Sequence, residues 1–186
     1  MTQQHPLSIM GVDLSLTSTG VCINGSLSVI KAASRGAERL SVISTSVVQL
    51  AQDNNVDIVV IEGYSFASRN SQAHSIGELG GSVRMRLWES GIPYIDVPPT
   101  CRAKFATGRG NAAKTEVMSA VSAKTGLVFS GSGADDMCDA WILSEMCCAR
   151  LGLSAYTWSP AQLSSLDKVD WEPLMSLHKT KENCAQ

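Results

Sequence analysis

The chain has 186 residues, 44% of them hydrophobic and 17% charged. Such a composition excludes a disordered polypeptide, and the length suffices for one domain with a real core. A formal net charge of −2 excludes binding to nucleic acid through overall charge, so any basic surface has to be local.

Met1–Pro6 is a short polar arm. Leu7–Asp13, Gly20–Asn24 and Ser26–Ala32 are predicted as three successive strands, with Asn24-Gly25 as the hairpin signal between the last two. Arg35–Asn54 carries Leu40, Ile43, Val47 and Leu50 at the spacing of one helical face. Asp57–Glu62 is an uninterrupted apolar strand that ends in a carboxylate, which predicts a sheet covered on both faces. Gly63–Ser71 is a polar loop holding Tyr64, Phe66 and Arg69. Ala73–Ser90 is a helix with Ile76, Leu79, Val83 and Leu87 on one face, and Gly80 and Gly81 permit close packing. Tyr94–Val97 is a short strand, and Pro99–Ala106 a short helix with proline in its first turn. A Gly-rich loop at Thr107–Asn111 leads to a helix over Ala112–Thr125, stopped by Gly126. After the Ser/Gly loop Ser130–Ala134, Asp135–Leu151 is a helix whose first-turn acids suit the helix dipole. From about Lys168 the chain turns polar and is expected to fray. Three consecutive strands, then helices alternating with strands, give an α/β fold with a mixed central sheet flanked by helices.

The six cysteines form no C-x-x-C pair and only three histidines are present, so a structural zinc site is not expected and the thiols read as small buried hydrophobes. No apolar run approaches the 20 or so residues of a membrane span and no secretory leader is seen, which points to the cytoplasm.

The stretch Ile9–Gly20, IMGVDLSLTSTG, organises the rest. Asp13 stands at the inner end of a buried strand, where an unpaired carboxylate is costly. Glu62 ends a second apolar strand, and Asp136 and Asp139 lie three apart at the start of the last long helix, on one side of it. Taken singly, Asp13 can cap the turn, Glu62 can be a solvated strand end, and the aspartates can simply favour a helix N-terminus. If the first and fourth strands are neighbours, however, Asp13 and Glu62 project from one edge of the sheet and a helix packed there adds two more acids. Like charges so placed need compensation, and hard oxygen ligands favour Mg²⁺, with Mn²⁺ as a substitute. Two such ions, roughly 4 Å apart, can align a water with a phosphodiester and stabilise the leaving oxygen.

GVDLSLTSTG, VVIEGYSF and ADDMCDAW resemble the three acidic motifs of RuvC-type Holliday junction resolvases within the RNase H-like superfamily. VPPTCRAKFATGRGNAAKTEV is similar to that family's basic segment, and the likeness, which runs from about Leu7 to Leu151, is to small phage-encoded and bacterial members. The resemblance implies an RNase H-like fold, with three antiparallel strands followed by parallel ones. It implies a homodimer with two active sites that makes paired Mg²⁺-dependent nicks in a four-way DNA junction and leaves 5′-phosphate and 3′-hydroxyl ends. The family's four carboxylates carry over to Asp13, Glu62, Asp136 and Asp139, as metal ligands and catalytic groups. Residues 1–171 are then one resolvase domain and 172–186 a flexible tail, in a protein of a bacterial cell or phage-infected host.

Arg69, Arg84, Arg86, Arg102, Lys104, Arg109 and Lys114 form a local basic excess over Glu78, Glu89 and Asp96, as a DNA-binding face in a neutral chain requires. Lys104, Arg109 and Lys114 bracket the Gly-rich loop, whose backbone N–H groups can also meet phosphate. Lys114 matches a functional lysine of the family, and Lys104 matches another to within one residue. Tyr64 and Phe66, with Arg69 close by, stand where similar resolvases place an aromatic that stacks on an unpaired base, although either ring can instead belong to the core. The helix Ala73–Leu87 offers a dimer surface, or simply packs on the sheet. Two other readings compete: a non-catalytic protein that binds branched DNA, and an actin-like ATPase using GVDLSLTSTG as a phosphate hairpin. Four clustered carboxylates argue against the first; the second lacks a further Gly-rich phosphate loop and a second lobe.

Overall fold

The computed structural model describes residues 7–64 and 71–177. The strands are β1 (Ile9–Asp13), β2 (Thr19–Ile23), β3 (Ser26–Ile30), β4 (Ile58–Glu62) and β5 (Tyr94–Val97), in the sheet order β3-β2-β1-β4-β5. β1 pairs antiparallel with β2 and parallel with β4, and β4 pairs parallel with β5. The turn between β2 and β3 runs through Asn24 and Gly25, both at positive φ as a two-residue hairpin of the twisted kind demands. β1 and β4 are the middle of the sheet and lie side by side, as the two apolar strands require.

Helices cover both faces. On one, α1 (Gly36–Asp53) and α2 (Ser71–Glu89) bury Ile43, Val47, Leu79, Val83 and Leu87 against Met10, Val12, Val59 and Ile61. On the other, α3 (Pro99–Thr107), α4 (Lys114–Thr125) and α5 (Ala134–Arg150) form the second core with Ile9, Ile58 and Val60. Strand side chains alternate between faces, so Asp13 falls on the side of Ile9, and Glu62 on the side of Ile58 and Val60. Both acids therefore emerge on the α5 side, at the carboxyl ends of adjacent parallel strands. With Val12 opposite Ile61, the next two positions on these strands are Asp13 and Glu62.

α5 lies against the backbone of β1 and β2. A Cβ on Gly11 would stand 2.0 Å from the carbonyl oxygen of Ala140, and one on Gly20 would stand 2.0 Å from that of Asp136. Only glycine lets the helix seat so low, and this sets the height of Asp136 and Asp139 above the sheet.

The fraying expected after Lys168 does not begin there. Residues 172–177 are helical and Leu174 is fully buried. Trp158, Leu166, Val169 and Trp171 join the same core as α3 and α5, with α6 (Pro160–Leu163) between. The amide of Gln162 donates to the carbonyls of Phe105 and Ala106 at 2.9 and 3.1 Å, and the rings of Phe105 and Trp158 lie 4.3 Å apart. These contacts fix α3 from outside. Polarity misled because the segment buries a few large rings rather than one periodic face.

Candidate active site

Asp13 and Asp139 are buried, and Glu62 is half-buried beside them. Burial pushes the Asp13 carboxyl well above its ordinary range, and the charges of Glu62 and Asp139 push the same way. Burial likewise raises Asp139 from 3.8 to about 6; Arg102 opposes that rise and Glu62 adds to it. Asp136, in the first turn of α5, is raised by burial and by the neighbouring Asp135. Asp13 lies within the field of Glu62, of Asp139 and, most weakly, of Asp136.

Among the described residues no hydrogen-bond donor contacts the Asp13 carboxylate. A buried carboxylate without a donor is the observation against which a cation can be tested, and an all-oxygen donor set suits a hard divalent ion. As the side chains stand, no three acids, cysteines or histidines among the described residues converge closely enough to hold an ion. The reason is visible beside them. Arg102, from α3, donates from Nε to Oε1 of Glu62 and from Nη1 to Oδ1 of Asp139, so both carboxylates are turned onto one guanidinium.

Arg102 is the residue that sequence reasoning missed. Composition places it on a basic surface, yet it is buried. A signal was present: it stands among Cys101, Ala103, Phe105 and Ala106, all buried, in a helix of nine residues. A charge that far inside a short apolar helix must face a partner in the core.

A cleft of about 100 Å³ opens at Asp13 and Glu62 and is lined further by Tyr64, Ile76, Arg84 and Pro99. A larger groove, of about 750 Å³, runs along β5 past Trp88 and Asp170, away from the four acids. It holds no comparable set of interacting carboxylates, so the chemistry belongs to the smaller cleft. Tyr64 is partly exposed on the cleft wall, its hydroxyl donating to the carbonyl of Gly77 at 3.3 Å. Arg84 lies 4.6 Å over its ring and pairs with Asp96. Phe66 and Arg69 lie outside the described residues.

The expected basic face is less free than its composition suggests. Arg84, Arg102, Arg109 and Lys114 each pair with an acid. Arg109 meets Glu116 at 2.6 Å and Lys114 meets Asp135 at 3.0 Å, both at exposed positions where such pairs are weak and exchangeable. Burial works to lower the Lys114 ammonium, but Asp135, with Asp13 and Asp139 beyond it, raises it on balance. Lys114 therefore borders the acids. Lys104 is half-buried on α3 and has no ion pair among the described residues.

Comparison with known proteins adds an independent observation. Residues 9–143 match the family described as crossover junction endodeoxyribonuclease RuvC. A curated protein of that description from Sorangium cellulosum (strain So ce56) is 29% identical over 87 residues, which are 47% of this chain and 49% of the relative. The match thus spans about half the length of that relative. A structure of T. thermophilus RuvC in complex with Holliday junction substrate superposes with a TM-score of 0.63 at 22% identity, covering 82% of this chain and all of that one. A further structure of Thermus thermophilus RuvC gives 0.62 at 24% identity, over 81% of this chain and all of the other. At that identity these superpositions carry the fold, and the sheet order and helix placement agree with it.

Proposed function

This chain belongs to the RuvC family, and from that premise we propose that it is a metal-dependent endodeoxyribonuclease that resolves four-way DNA junctions, and other branched DNA, by paired nicking. The observation that carries the reading is the meeting of four carboxylates at the carboxyl ends of β1 and β4, with Asp13 buried and without a donor. A protein that only binds DNA gains nothing from such a site, because it repels phosphate.

Family membership implies dependence on divalent metal ions. Asp13, Glu62, Asp136 and Asp139 are the residues that would hold them, with Mg²⁺ as the ion and Mn²⁺ as a substitute. Bound there, the ions supply an activated water at neutral pH and neutralise charge on the phosphodiester. The chain's own groups do the rest. Asp13 and Glu62 are carried by adjacent strand ends and Asp139 by α5, so the backbone positions of these acids are set before substrate arrives, while the Glu62 and Asp139 carboxylates have to turn from Arg102 to meet an ion. Lys114 and Arg109 exchange exposed partners for phosphate oxygens and set the strand over the acids. Lys104 extends this track. Tyr64, held by Gly77 and Arg84, presents one face to a base beside the scissile phosphate, with Phe66 as the second candidate; stacking of this kind contributes about 1–3 kcal/mol.

We also propose a homodimer formed through α2. That helix buries Leu79, Val83 and Leu87 inward and leaves Met85 and Trp88 largely exposed, an apolar surface that a second copy would cover. No helix among the described residues is long and apolar enough to cross a membrane; the proposed setting is the cytoplasm of a bacterial cell or phage-infected host.

The test is a labelled synthetic junction with wild type and Asp13→Asn, in Mg²⁺ and in EDTA. Symmetric nicks in opposing strands that need both metal and Asp13 are expected. Junction binding without nicking in Mg²⁺ or Mn²⁺ would overturn the catalytic reading in favour of a binding protein.

A further inference from the structure

Arg102 sits at the centre of the acidic site, and no role in the reaction requires it there. Its Nε engages Glu62 and its Nη1 engages Asp139, so one guanidinium ties the end of β4 to α5. Its neighbours on α3 are buried, which sends the side chain into the core rather than to solvent. The helix is itself clamped, at Phe105 and Ala106, by the Gln162 amide. A planar fork that reaches two carboxylates at once is a geometry for arginine and not for lysine. The two carboxylates it engages are among those that would hold a divalent ion at this site.

We propose that Arg102 is a positioning residue with two duties: it holds Glu62 and Asp139 at the site as a resident cation, and it competes with divalent ions for their oxygens. This rests on the metal-site reading given above. Ion entry then requires the guanidinium to release at least one carboxylate, so the site binds ions more weakly than its acids alone would. The same pairing keeps buried Asp13 and Asp139 and half-buried Glu62 from pushing β4 and α5 apart, because a positive charge placed among them offsets their repulsion.

The experiment is Mn²⁺ binding to the DNA-free protein, followed by loss of the free-ion electron paramagnetic resonance signal. Melting is recorded in EDTA and in excess Mn²⁺. Wild type, Arg102→Met, Arg102→Lys and Asp13→Asn are compared. Arg102→Met is expected to bind Mn²⁺ at least tenfold tighter than wild type, to melt lower in EDTA, and to gain more from Mn²⁺. Arg102→Lys, a point charge that cannot fork, is expected between the two, and it decides by the same criterion if Arg102→Met does not fold. Equal or weaker Mn²⁺ binding in the Arg102 variants, with binding lost in Asp13→Asn, overturns the competition and leaves the metal site standing. An Arg102→Met protein that melts in EDTA no lower than wild type overturns the holding duty. Mn²⁺ binding absent from all four proteins, or untouched by Asp13→Asn, overturns the metal-site reading itself.

Discussion

Replacing Gly20 by alanine should cripple cleavage while leaving a folded protein that still binds junctions. Gly20 lies on β2 directly across from Asp13 and under the first turn of α5. An added Cβ would stand 2.0 Å from the carbonyl oxygen of Asp136, 2.3 Å from its carbon and 2.9 Å from the nitrogen of Met137. All three are backbone atoms, so no side chain can rotate away. To reach the 3.4 Å at which ordinary contact begins, the start of α5 must retreat by about 1.4 Å. Overpacking of this kind costs about 1–3 kcal/mol. For a chain of this length that lowers Tm by roughly 2–12 °C. The chemical effect is larger, because a misplacement near 1 Å at a reacting centre costs on the order of 10²-fold in rate. Single-turnover cleavage of a labelled junction in Mg²⁺, junction binding in EDTA and a urea melt would be measured together. Thr45→Ala serves as control, since Thr45 is exposed on α1 and alanine is favoured in a helix. Wild-type stability and cleavage within threefold for Gly20→Ala would refute the idea that glycine sets the height of Asp136.

Asp13→Asn should abolish nicking yet raise the melting temperature in EDTA, because it replaces a buried, repelled carboxylate with a neutral isostere; a lower melting temperature would count against that account. Stability in EDTA should rise as pH falls from 7.5 to 5. The folded-state values of Asp13 and Asp139 lie above their unfolded ones, so the folded protein binds more protons between pH 3.8 and about 6. Asp139 alone contributes a destabilisation on the order of 3 kcal/mol at neutral pH, and a urea midpoint that is higher at pH 7.5 would contradict it. Lys114→Ala should weaken junction binding across sequences and reduce the slope of log K against log salt by about 1; an unchanged slope would remove Lys114 from the phosphate contacts.

The sheet and the acids were legible because their signals are local. β1 and β4 are continuous apolar runs that each end in one carboxylate, and the aspartates of α5 sit in a helix start marked by Gly133 and a Ser/Gly loop. The strand period of two even fixes which face Asp13 and Glu62 share. Arg102 was not legible in the same way. α3 has only nine residues, and in sequence Arg102 stands between Thr100 and Lys104 of its outer face, so its burial does not stand out. Nor was the pairing of Arg84 with Asp96, which depends on α2 lying beside β5. The C-terminal segment escaped for a third reason. Its core contribution comes from Trp158, Leu166, Trp171 and Leu174, separated by turns too short to set a period.

These residues join the site to the stability of the whole chain. Two buried acids and a half-buried third on adjoining elements are a strain at neutral pH, and the fold carries it in two ways. Backbone contact at Gly11 and Gly20 locks α5 onto β1 and β2, so Asp139 cannot swing away from Asp13 without breaking the core beneath it. From the opposite side, α3 brings in the charge of Arg102, and α3 is held by Gln162 and by the packed rings of Phe105 and Trp158. The segment after α5, which looks dispensable by its polarity, thus stands behind the guanidinium that faces Glu62 and Asp139. Loss of its aromatic anchors would be felt at the acids through α3, although none of those anchors touches them.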